Sequence, residues 1–156
     1  MFGSGTTTTF SVEVENATAL DLAGEAATIE AVLSDPRSWI GSTDVAFQRV
    51  EADAQLRIIL ATPPTVDAMC APLRTNGYFS CREGNRVILN SVRWTEAVDS
   101  WASTLLEYRQ YLVNHEVGHY LGRGHVGCPA EGAPAPVMMQ QSKGIGACSP
   151  NSWPNP

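Results

Sequence analysis

The segment TTTTFSVEVE (Thr6–Glu15) alternates β-branched and polar residues with a period of two, which predicts a strand. The period then changes. In ALDLAGEAATIEAVLSDP, Leu22, Ala26, Ile29 and Leu33 recur every three or four residues and share one face of a predicted helix. Asp21 is placed to cap its start, and Asp35-Pro36 ends it. VAFQRVE (Val45–Glu51) and QLRIILAT (Gln55–Thr62) predict two more strands, the second closed by Pro63-Pro64. CAPLRTNGYFSC (Cys70–Cys81) carries the turn signal Asn76-Gly77 and predicts a looped hairpin, followed by a strand over Arg86–Asn90. STLLEYRQYLVNHEVGHYLG is helical: Leu105, Tyr108, Leu112, His115 and His119 share a face, and Gly122 is the natural stop. Trp94 and Trp101 are expected to anchor the loop before this helix in the core. From residue 123 onward the pattern is that of loops.

These elements predict an α+β fold with a mixed sheet and two main helices. At 156 residues the chain fits one domain over 1–156: a sheet-and-helix part to about residue 122 and a short loop-rich part over 123–156. A hydrophobic fraction of 44% against 17% charged is that of a globular chain. The net charge of −6 and the lack of a basic stripe argue against nucleic acid as a partner. No apolar run is long enough for a membrane span.

The four cysteines fall into two local pairs, Cys70 with Cys81 and Cys128 with Cys148, in segments rich in Pro and Gly. Two disulfides are expected, and with them an oxidising, extracytoplasmic compartment. Zinc ligation by the cysteines is disfavoured because the C-x-x-C spacing is absent. The start MFGSGTTTTF has neither the basic nor the apolar stretch of a signal peptide, so the expectation is a secreted or exported domain whose signal or anchor lies outside this chain.

All three histidines, His115, His119 and His125, sit within eleven positions. On a helix, positions i and i+4 project from one face, so His115 and His119 can reach one metal ion. Glu116 lies about 100° around from His115, beside that face, as suits a general base. Gly122 and Gly124 let the chain turn back and bring His125 to the same point. Three neutral imidazoles favour Zn²⁺ and leave a position open for water. The expected chemistry is peptide hydrolysis by a zinc-bound water, with Glu116 as general base.

The string HEVGHYLGRGH (His115–His125) matches H-E-x-x-H-x-x-G-x-x-H and resembles the metzincin zinc metalloproteases. The resemblance implies a zincin fold with a mixed, mostly parallel twisted sheet. It makes His115, His119 and His125 zinc ligands and Glu116 the base. It also implies a Met-turn beneath the metal, for which APVMMQQ offers Met139 or Met138. Met139 is preferred, because a cysteine pair brackets the Met-turn in snapalysin-like proteases and their spacing fits Met139 to Cys148 better. Over nearly its whole length the chain further resembles a group of actinobacterial exported metzincin-like domains of unknown function, through NHEVGH, CP…APVMMQQ and NSWPNP.

By metzincin chain order, GYFSC (Gly77–Cys81) is the candidate cleft-lining edge strand; the alternative is an ordinary hairpin edge. Residues near Gln140–Ile145 are expected to wall the substrate pocket. Two departures stand out: the third snapalysin ligand is an aspartate where this chain has His125, and a tyrosine ligand found in some metzincins is replaced by Gln141, or by Gln140 if Met138 forms the turn. The implied function is a monomeric zinc metalloendopeptidase acting on a peptide or protein substrate. The alternative is a catalytically silent, zinc-stabilised extracellular binding domain.

Overall fold

The computed structural model describes residues 1–156. Five strands, β1 (Thr6–Val14), β2 (Val45–Arg49), β3 (Leu56–Ala61), β4 (Cys81–Glu83) and β5 (Arg86–Asn90), form one sheet in the order β2-β1-β3-β5-β4. β1 pairs in parallel with β2 and with β3, and β3 pairs in parallel with β5. Only the edge strand β4 runs antiparallel. The fold is therefore α+β with a mixed, mostly parallel sheet.

Both faces of the central strands are covered. On β3, Leu56, Ile58 and Leu60 join Phe10, Val87 and Leu89 in the main core against α1 (Leu22–Ser34) and α4 (Leu105–Tyr120). Ile59, Ala61 and Ile88 point the other way, onto Val66 and Cys70 of α2 (Pro63–Cys70). This alternation is the period of two made physical. Burying each Ile or Leu contributes about 1.5–3 kcal/mol.

α1 begins where expected, with the Asp21 carboxylate accepting from Gly24 N at 2.8 Å. Two shorter helices were not anticipated. Pro63-Pro64 does not merely close β3; it opens α2, because proline's missing N–H and fixed φ suit the first helical positions. α3 (Ser91–Glu96) follows β5 directly, with the Asn90 side chain accepting from Val92 N and Arg93 N.

The segment Cys70–Cys81 is accordingly not a hairpin. Its disulfide joins the end of α2 to the start of β4, across a turn in which Asn76 and Gly77 both have positive φ. Strand pairing begins only at Cys81: Tyr78 N and Phe79 N both donate to Thr75 O, and the Ser80 hydroxyl accepts from Asn90 N where a ladder bond would stand.

α4 is fixed at both ends and in the middle. Thr104 and Glu107 form a capping box at its start. Trp101 is half-buried, stacks on Tyr111 and meets Tyr108 edge-on, whereas Trp94 is fully buried on α3 and donates to Glu25. Midway, the buried Asn114 accepts from Ser38 Oγ, donates to Ser152 O, and takes the Trp39 indole N–H on its carbonyl. This satisfied polar cluster ties α4 to the segment after α1 and to the C-terminal tail. The tail is loop-rich, as expected, and is closed by the Cys128–Cys148 disulfide. No helix is long and apolar enough to cross a membrane.

Candidate metal centre and cleft

The end of α4 builds the site. Gly122 takes φ +81°, Gly122 N donates to His119 O, and Arg123 N donates to Gly118 O. These two bonds make a Schellman closure, which requires a residue able to adopt the left-handed region at that point. The chain reverses and carries His125 back, so that its Nε2 lies 2.9 Å from His119 Nε2. One ligand atom from each of His115, His119 and His125 lies within 4.8 Å of the other two.

The ring orientations are set from behind. His115 Nδ1 is 2.8 Å from Val137 O, and His119 Nδ1 is 2.8 Å from Arg123 O. A carbonyl can only accept, so both Nδ1 atoms carry the proton and both Nε2 atoms present a lone pair. Nε2 atoms facing one another this closely need a cation between them or a proton on one. Across a tetrahedral zinc, nitrogen ligands stand about 3.3 Å apart. The residues therefore fit a divalent metal of zinc's preferences. Burial and the neighbouring imidazoles favour the neutral form: His115 is pushed down to about 3, chiefly by burial, and His119 and His125 are lowered as well.

Glu116 is buried beside this trio, and its carboxylate makes no hydrogen bond within the protein. Burial pushes its carboxyl up to about 8, while the positive charge of Arg82 on β4 pulls the other way. Both face a cleft of about 370 Å³ that also holds the three histidines. One wall comes from the segment before β4 and from β4 itself, including Phe79, Ser80 and Arg82. The other comes from the tail, with Gln140, Ser142 and Lys143; Ile145 does not take part.

Of the two methionines, Met138 is buried against α4 at Gly118, while Met139 is half-buried and its carbonyl accepts from Tyr111 Oη. The sequence reading missed Arg82 and Tyr111, whereas Lys143 falls within the Gln140–Ile145 segment expected to wall the pocket. Tyr111 precedes His115 by one helical turn and was within reach of the spacing argument. No local signal places Arg82 at the cleft.

No curated protein matches this chain. A family model matches residues 1–150. With that span covered, the chain belongs to the family described as "Protein of unknown function (DUF3152)".

Proposed function

We propose that this protein is a secreted zinc-dependent metalloendopeptidase of the metzincin kind. The observation that carries the reading is the convergence of three imidazoles, two with their Nδ1 protons committed to carbonyls, beside a buried carboxylate with no internal partner. His115, His119 and His125 would hold the ion through Nε2. When bound, zinc supplies Lewis acidity, which acidifies water and polarises a carbonyl.

Glu116 does the proton work. Its carboxylate takes a proton from the attacking water and passes it to the leaving nitrogen. A group held near neutral pH serves both steps, and a cation at the histidines would lower its affinity for protons in the same direction as Arg82. The cleft walls confine an extended chain across the histidines, and the free outer edge of β4 offers backbone groups to a peptide. The two disulfides support an oxidising compartment. Met138, packed against α4, is the methionine better placed for a Met-turn role.

The test is Glu116→Ala. Hydrolysis of a quenched peptide should fall by about 10²–10⁴-fold while zinc stays bound. Undiminished cleavage would remove Glu116 as the base.

A further inference from the structure

The chain carries 16 acidic and 10 basic side chains, yet the cleft inverts that balance. Arg74, Arg82 and Lys143, the last being the chain's only lysine, line it, and Glu116 is its only carboxylate. None of the three cations is paired: the ion pairs of the protein use Arg37, Arg49 and Arg57. None donates a side-chain hydrogen bond within the protein either, although Arg57, Arg86 and Arg109 all do.

The charges come from both walls. Arg82 on β4 and Lys143 on the tail line the same cleft as the three histidines, from its two opposite walls. Lys143 is solvent-exposed, yet its Nζ stands 5.2 Å from the Phe79 ring of the opposite wall, so its charge reaches across the mouth of the cleft. Unpaired cations gathered in a concavity focus a positive field, here within a protein of net charge −6.

We infer that the cleft selects acidic peptides, with Asp or Glu side chains flanking the scissile bond and meeting Arg74, Arg82 and Lys143. This rests on the peptidase reading above and names its substrate class. Carboxylates suit the arginines, whose planar guanidinium can hold them through two parallel hydrogen bonds. The β4 edge supplies the reason for a peptide rather than another polyanion, since it can pair with extended backbone.

The experiment is a set of matched quenched peptides carrying Glu, Gln or Lys on each side of the scissile bond, cleaved by the zinc-loaded protein at low and high salt. The expected order of kcat/KM is Glu over Gln over Lys, with about tenfold or more between first and last, narrowing at high salt. In Lys143→Gln and in Arg82→Gln the Glu-to-Gln ratio should each time fall by about threefold to fivefold. Cleavage indifferent to peptide charge, or a preference for Lys, overturns the acidic-substrate inference and leaves the peptidase reading standing. No cleavage of any member by the zinc-loaded chain overturns the peptidase reading itself.

Discussion

Gly118 sits on α4 between the first two histidines, and an alanine there sets two effects against each other. In an unobstructed helix, Gly→Ala gains about 1 kcal/mol. Here a Cβ would stand 2.7 Å from Trp39 Cζ2 and closer still to Met138 Sδ. Carbon contacts are ordinarily about 3.5–4.0 Å, so a neighbour must move by about 1 Å. Met138 is buried, although it borders a cavity that it shares with Trp39. The Trp39 indole is held by its N–H on Asn114 O at 2.9 Å. Overpacking costs about 1–3 kcal/mol, and with two neighbours struck at once the upper half of that range applies. Steric cost wins: Gly118→Ala should lose about 1–2 kcal/mol, lowering Tm by roughly 2–8 °C in a domain of this size. Thermal unfolding of the metal-free protein, followed by circular dichroism, reads it. Adding Met138→Ala should make the double variant less destabilised than the two single losses combined, because the vacated space accepts the Cβ. A Gly118→Ala protein as stable as the parent would refute the tight contact between α4 and Met138.

The Cys128–Cys148 bridge closes a segment with a sequence separation of 20 and lies just beyond His125, which no regular element holds. Replacing both cysteines with alanine should cost about 3 kcal/mol of stability and weaken zinc binding in a chelator competition; unchanged zinc affinity would show that the turn at Gly122 alone places His125. Thr104→Ala removes half of the capping box and should cost about 1 kcal/mol in denaturant unfolding, whereas no loss would mean the box adds nothing to α4. Acid should destabilise the protein through specific carboxylates. Glu13 is held down by Arg57, Asp67 by Thr75 and Gly77, and Glu107 by Ser103 and Thr104. Each is depressed on folding, so its contribution is present above the ordinary carboxylate range and lost as pH falls through the folded values. Tm should therefore drop below about pH 4, less steeply in Glu13→Gln; an unaltered acid limb in that variant would exclude the Glu13–Arg57 pair.

The elements whose periods were unambiguous were legible in the letters. β1 at Thr6–Val14, β5 at Arg86–Asn90 and α1 with its Asp21 cap stand close to where the patterns put them. The two short helices were hidden for different reasons. Pro63-Pro64 reads as a stop from one side and as a start from the other, and only the packing of Val66 and Cys70 under β3 and β5 decides it. α3 is six residues long, too short to show a period. Strand order was beyond reach, since parallel pairing of β1 with both β2 and β3 depends on contacts far apart in sequence. At the site, the helical spacing and Gly122 foretold which imidazoles meet. What they could not supply was the shell behind them, because Val137 O and Arg123 O are backbone groups that no side-chain motif encodes. Arg82 was equally hidden, brought to the cleft only by β4 folding beside α4, whereas Lys143 lies in the tail segment expected to wall it.

The most direct test of the metal centre is zinc content by elemental analysis, on the chain purified after exposure to excess zinc, beside His115→Ala, His119→Ala and His125→Ala. One ring nitrogen from each histidine within 4.8 Å of the other two predicts a single tightly held ion in the parent and its loss from all three variants, with each variant still folded by circular dichroism. Zinc retained in full by the folded variants, or no zinc in the parent, would contradict it.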